Sequence, residues 1–291
     1  MISNKIFLNS NVGEFFLRIL SRKFATNRVT IAQELSKKFE NIPLTEFPLS
    51  RTKRFKLSDF KEIDKANQLC NLDRLDENPN YYPSITNILN QTMSPESLAI
   101  LKRWESEKIK QLGAEGFERY RKELFTRGKL LHNNIQTYLE TKDTTKLKFN
   151  TKAQENMWRS IECVLKNINS LFATELPVYH PILRFRGILD NLAIYDDIPV
   201  LIEWKTSEKS RPTIAQTYDY PLQAVAYYSC LQFDQSGIKQ SKSIKDILLI
   251  IAYEDGSEAT IHNIEPNIRE TIWRKFVRRL ELYWKKTSLN L

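Results

Sequence analysis

The chain has little cysteine, little histidine and no long apolar run, and each shortage removes a class of protein. Its three cysteines, Cys70, Cys163 and Cys230, are scattered and odd in number, with no Cys-x-x-Cys pair. A disulfide framework and a cysteine-based zinc or iron–sulfur site are therefore unsupported. No apolar run approaches the roughly 18 residues of a membrane span, so no membrane partner is expected. None of the three histidines, His132, His180 and His262, is evidently paired with a nucleophile for covalent catalysis. There is no internal repeat or low-complexity segment, and nothing asks for a small-molecule organic cofactor. What remains is a soluble, globular composition at 291 residues, long enough to bury a real core.

Positive charge is also scarce where it would matter most. The net charge is +9, but residues 1–58 hold eleven Lys/Arg against four Glu, leaving 33 basic and 31 acidic residues for the rest. Nucleic-acid binding by the folded part must then come from local patches. The first 25 residues carry Lys5, Arg18, Arg22 and Lys23 against Glu14 alone, between apolar Phe7, Leu8, Phe15, Phe16, Ile19 and Leu20. That is the acid-poor, amphipathic pattern of a mitochondrial leader, and Arg22-Lys23-Phe24-Ala25 resembles a matrix-protease site. The alternative is an ordinary basic surface helix. We expect a leader over 1–24, a flexible basic extension over 25–78, and a single domain over 79–291.

Within that domain, Ser94-Pro95-Glu96 is a helix start: a cap, a proline at the first position and an early acid. The pattern places Leu98, Leu101, Trp104 and Leu112 on a buried face, and Gly113 ends the helix. A second helix follows from Glu115 to Leu139, with Phe117, Tyr120, Leu124, Leu131 and Ile135 at helical spacing; it carries His132. A third runs from about Lys152 to Leu171. An apolar run from Ile182 to Leu189 reads as a strand bearing Asp190. Asp196-Asp197-Ile198-Pro199 turns the chain into a second strand, Val200–Lys205. A helix over Tyr220–Gln232, a buried strand over Ile247–Tyr253, a tight hairpin turn at Glu254-Asp255-Gly256 and a helix over Pro266–Lys286 complete it. The class is α/β, with a mixed sheet flanked by helices and a helical N-terminal lobe.

Chemistry concentrates on the strand pair. Side chains alternate along a strand, so Glu203 and Lys205 share a face while Trp204 points to the other, into the core. The hairpin brings Asp190 beside Glu203. Two carboxylates and an ammonium on an otherwise apolar sheet are costly to bury without compensation. A divalent cation compensates them, because Mg²⁺ takes oxygen ligands and often only one or two protein carboxylates. The ordinary alternative is a solvated ion pair.

The flanking residues favour the catalytic reading. "YPSITNIL" (Tyr82–Leu89), "GKLLH" (Gly128–His132), "GILD" (Gly187–Asp190), "IEWKTSEKSRP" (Ile202–Pro212) and "YPLQAVAYY" (Tyr220–Tyr228) occur in that order. Together they resemble the RecB-like branch of the PD-(D/E)xK nucleases, and within it the mitochondrial exonucleases. The resemblance runs from Tyr82 to about Lys285 and implies the restriction-endonuclease-like core. It departs in having Leu189 where the motif has proline, and in lacking the cysteines of iron–sulfur relatives.

The resemblance implies that Asp190, Glu203, His132 and the Trp204 backbone carbonyl hold Mg²⁺ or Mn²⁺. It implies that Lys205 orients or activates the attacking water and offsets phosphate charge. Gln223 and Tyr227 would form a Gln-x-x-x-Tyr motif at the site's edge. Ser84 and Thr86 are weaker candidates, and so is Glu175, whose ordinary reading is a surface residue. The implied substrate is single-stranded DNA threaded by a free end through a passage built by the helices between Ser94 and Leu139. Three rivals stand: a related nuclease with endonuclease, duplex or RNA activity, a non-catalytic nucleic-acid-binding scaffold, and a structural ion-pair sheet. A degenerate scaffold tends to lose an acid or the lysine, and this chain keeps both.

Overall fold

Three side-chain caps fix where the first helices begin. The Ser84 hydroxyl accepts from the Asn87 backbone N–H and starts α1 (Ile85–Gln91). Ser94 accepts from Ser97 N–H and, with proline at the first turn, starts α2 (Pro95–Thr141). Thr151 and Gln154 cap each other reciprocally at the head of α3 (Lys152–Lys166). Then come β1 (Ile168–His180), β2 (Phe185–Tyr195), β3 (Ile198–Ser207), α4 (Tyr220–Cys230), β4 (Asp246–Tyr253), β5 (Thr260–Asn263) and α5 (Pro266–Leu289). The computed structural model describes residue 44, residues 79–233 and residues 243–289. The expected leader and, residue 44 apart, the expected basic extension lie outside the described residues.

The strands form one mixed sheet in the order β1-β2-β3-β4-β5. Only the β3–β4 pair is parallel, as a pair joined through a helix can be. Between β2 and β3, Asp196 and Asp197 take φ of 45° and 65°. These are the left-handed pair that a two-residue hairpin needs and that aspartate tolerates better than most residues. The two sheet faces bury separate cores. Leu201 and Ile247 pack with α1, α4 and α5, while Ile202, Trp204, Leu248 and Ile250 pack with α3 and the end of α2. On β3, Glu203 and Lys205 are in phase with Leu201, so they lie under α4.

Four details differ from the sequence expectations. The third helix stops at Lys166, because Asn167 caps it and Ile168 opens a 13-residue strand. Ile161, Val164, Leu165 and Ile168 keep helical spacing across that boundary, so pairing with β2, not periodicity, decides it. The strand expected from Ile182 begins at Phe185, after a turn in which Arg184 has φ 54°. The link after β4 is not tight, since residues 254–259 separate Tyr253 from Thr260.

The fourth concerns α2. Gly113, at φ 72° and ψ 167°, breaks the helix as its sequence suggested. Trp104 and Phe117 rings then meet at 5.8 Å, although an unbroken helix would set those positions roughly 20 Å apart. The segment before Gly113 does not bury the expected face: Leu98, Leu101 and Leu112 are exposed, with Ile100 and Ile109. It folds back on its own helix through Trp104 instead of lying on the sheet.

One buried titratable group gives the fold an acid sensitivity of its own. His180 is enclosed by Phe185, Phe233 and Trp273, and its Nδ1 accepts from Leu183 N–H at 3.0 Å. Burial pushes its imidazole down to about 3. A pKa depressed by folding adds stability above the unfolded value of about 6.5, and that stability drains as pH falls toward 3. His180→Asn keeps an acceptor for Leu183 but cannot titrate. Its unfolding free energy, followed by urea titration from pH 6.5 to 4, should fall less steeply than wild type's. The difference should approach about 1.4 kcal/mol per pH unit. Parallel slopes would refute this.

Candidate active site

The sheet opens where the acids stand. Pairing between β2 and β3 ends at Asn191↔Ile202. Between β1 and β2 it passes from Thr174↔Asn191 to Leu176↔Leu189, stepping over the rung that joins Glu175 to Asp190. Extending both registers puts Glu175, Asp190 and Glu203 in one row across three strands. Glu175 takes φ 46° inside its strand, a conformation costing a non-glycine residue about 1–3 kcal/mol. Strain of this kind collects at functional sites.

Trp204 holds Asp190 and its neighbour Asn191 with its two donors. Its backbone N–H donates to Asp190 Oδ2 at 2.8 Å, and its indole Nε1 donates to Asn191 Oδ1 at 2.6 Å. The indole is buried on the opposite face, in the core, so the backbone whose N–H holds Asp190 is anchored from below. Oδ1 of Asp190 is left to face His132, whose Nδ1 lies 3.3 Å away and 3.5 Å from Glu175 Oε1.

Glu203 is 1% exposed and its Oε1 accepts from Lys205 Nζ at 2.6 Å. Burial and the neighbouring Asp190 push its carboxyl up, to about 8, against the pull of Lys205. Burial works against the charge on Lys205, yet Glu203 and Asp190 outweigh it and raise the ammonium's pKa. The Tyr220 ring, 5.2 Å from Nζ, adds a second stabilising contact. Burial likewise opposes a charge on His132, but Asp190 and Glu175 push the imidazole up to about 10. The site therefore holds protons that a cation would displace.

The residues fit a divalent cation. Ligand atoms of His132, Glu175 and Asp190 lie within 4.8 Å of one another. Glu203 Oε2 is buried with no hydrogen-bond partner among the described residues, an atom that otherwise bears the full desolvation cost. A set dominated by carboxylate oxygens suits Mg²⁺ or Mn²⁺. Glu175 thus stands in the acidic group and is not the surface residue of its ordinary reading. Its strand position carries no local signal, since register alone brings it to Asp190. Glu203 is turned toward Lys205 and stands outside the group of three.

On α4, Gln223 Nε2 donates to the Tyr227 hydroxyl at 2.8 Å. That ring lies against Gly187, where a Cβ would come 2.3 Å from Tyr227 Cε1. The glycine of "GILD" is there for close approach between sheet and helix. Ser84 caps α1 and bridges to Arg186, while Thr86 on the same helix is exposed. His180 and His262 stay outside the site: His180 lies in the core and His262 Nε2 sits 2.8 Å from the Arg211 carbonyl.

Helices on both faces of a mixed five-stranded sheet, with acids, a lysine and a histidine gathered where its ladder opens, make this an α/β protein with a nuclease-like core. The chain is 34% identical over 207 residues to Mitochondrial genome maintenance exonuclease 1 of Homo sapiens. It is 36% identical over 211 residues to the protein of that name in Mus musculus, and 35% over 204 residues to that in Xenopus tropicalis. Over this shared stretch the chain is similar to those proteins. The stretch covers 71%, 71% and 70% of this chain, and 59%, 60% and 58% of the respective relatives. The chain thus spans about three fifths of the length of the curated relatives it matches. No protein-family model matches it.

Proposed function

We propose that this chain is a metal-dependent exonuclease that hydrolyses single-stranded DNA from free ends, in mitochondrial DNA maintenance. The observation that carries it is the meeting of Asp190, Glu203, Lys205 and His132, four residues from three elements, at one opening in the sheet. Residues 79–291 would be one nuclease domain of the RecB-like PD-(D/E)xK type. The relatives' names support a mitochondrial setting, and we place the chain in the matrix. The leader on which that placement also rests lies outside the described residues.

His132, Asp190, Glu175, Glu203 and the Trp204 carbonyl would hold Mg²⁺ or Mn²⁺. When bound, the cation supplies charge neutralisation at the phosphate and a water of lowered pKa. The chain's own contribution is positional. Trp204 fixes Asp190, and Lys205, steadied by Glu203 and Tyr220, aims its N–H groups at the phosphate oxygen that gains charge. The attacking water's oxygen bonds to phosphorus as the bond to the departing sugar oxygen breaks, the water giving up a proton to solvent and the sugar oxygen taking one from it. Gln223 and Tyr227 would line the edge of the site, with Ser84 and Thr86 further out.

The test offers linear and circular single-stranded DNA, blunt duplex and RNA, each with Mg²⁺ or Mn²⁺ and with a chelator. Rapid loss of the linear strand is expected, with weak action on duplex and RNA, a resistant circle, and no reaction under chelation. Efficient cutting of the circle would replace this proposal with an endonuclease. No cutting under either metal would replace it with a binding scaffold.

A further inference from the structure

The loop between β3 and α4 carries a side chain that neither the catalytic set nor the core uses. Tyr218 is 54% exposed and has φ 54° with ψ −123°, a backbone conformation that only glycine adopts with ease. The residues on either side of it are fixed. Thr217 is buried and its hydroxyl donates to the Ile214 carbonyl at 2.6 Å. The Asp219 carboxylate accepts two N–H groups of Arg279, at 3.0 and 3.2 Å. The chain therefore holds Tyr218 in an unfavourable conformation that folding would satisfy better with glycine, and presents a large aromatic ring to solvent.

The ring has a cation behind it. The Arg211 guanidinium lies 4.9 Å from its centroid. Arg211 is tied at several points: Nη1 donates to the Tyr218 hydroxyl and the Gln216 carbonyl, both at 3.3 Å. Its Nε donates to Ser207 Oγ at 3.2 Å, and its backbone N–H donates to the Tyr253 hydroxyl at 2.9 Å. The position matters as much as the chemistry. Tyr220, whose ring faces Lys205 Nζ at 5.2 Å, is two residues away, a separation of at most about 7 Å between Cα atoms. Tyr218 thus lies two residues along the chain from the ring that faces Lys205.

We propose that Tyr218, backed by Arg211, is a stacking platform for one nucleobase of the strand whose phosphate reaches Lys205. This rests on the nuclease reading above and adds a base-binding contact to it. A flat ring fixed over a guanidinium suits the face of any base, which makes the contact tolerant of sequence. The Arg211 charge lies beside it for the adjoining backbone.

The experiment measures binding by fluorescence anisotropy of the full chain in chelator, so that no cleavage intervenes. One probe is an ordinary single-stranded oligonucleotide, and the other is a strand of the same length built from abasic sugars. Tyr218→Ala should weaken binding of the ordinary strand on the order of tenfold and leave the abasic strand unchanged. Tyr218→Trp should bind like wild type. Tyr218→Gly should bind as poorly as Tyr218→Ala yet melt no lower than it, because glycine relieves the backbone. Unchanged affinity of Tyr218→Ala for the ordinary strand, or an equal loss on both strands, would overturn the platform alone. Failure of the wild-type chain to bind either strand would overturn the nuclease reading itself.

Discussion

Lys205→Ala and Glu203→Ala should each lower the rate of cleavage at least a hundredfold, on the order of what removing one positioned donor or proton-handling group costs elsewhere. Binding of single-stranded DNA should persist in both, because contacts to the phosphate backbone away from the site supply most of the affinity. The two variants fail for different reasons. Without Lys205, Glu203 sits buried beside Asp190 with His132 as its remaining counter-charge, so its already raised pKa rises further. The site then loses both an ammonium and a carboxylate. Without Glu203, Lys205 keeps Asp190 nearby but loses its 2.6 Å partner and with it a fixed direction. Glu203→Ala should also bind the strand at least as tightly as wild type in chelator, since the buried carboxyl it removes offers the phosphate no attraction. Removing one member of a buried pair costs about 3–5 kcal/mol, so melting curves must accompany the rates. Metal-dependent hydrolysis surviving in both folded variants would sink the site assignment.

What could be read in the sequence follows the range of each interaction. The cap at Ser94, the break at Gly113 and the turn at Asp196-Asp197 are each decided within four residues, and each is where local chemistry puts it. The placing of Asp190 beside Glu203 follows from that turn and a period of two, so it too was legible. Glu175 was not. Nothing around it marks it, and it joins Asp190 through a register set along 13 residues of a strand whose start the helical spacing of Ile161 to Ile168 concealed. The exposed face of Leu98, Leu101 and Leu112 has the same origin. An apolar stripe states that a face exists, not which partner covers it, and the turn at Gly113 gave the stripe to solvent. Tyr120 and Glu208, hydrogen-bonded across 88 positions, could not be paired from sequence at all. Local rules thus place the carboxylates and the lysine on their strands, and tertiary register completes the acidic group.

Gly187→Ala should be the most damaging alanine substitution among the described glycines. The added carbon would sit 2.3 Å from Tyr227 Cε1 and 3.2 Å from Ile85 Cδ1. Both neighbours are buried, one on α4 and one on α1, so neither can swing into water. Overpacking of this kind costs about 1–3 kcal/mol, and the ring must move by roughly the ångström that separates 2.3 Å from ordinary contact. Tyr227 carries Gln223 with it through their 2.8 Å hydrogen bond. Displacement on that scale at a reacting centre can cost about a hundredfold in rate. The stability loss alone would not show that Tyr227 has a role in the site, so the decisive variant is the double one. Gly187→Ala with Tyr227→Ala removes the clash, and its stability loss should be smaller than the sum of the two single losses, as coupled neighbours require. Its cleavage rate should stay as low as that of Tyr227→Ala. If the double variant regains wild-type cleavage, Tyr227 is packing and nothing more. If Gly187→Ala melts and cleaves like wild type, the ring does not lie where a methyl group would meet it.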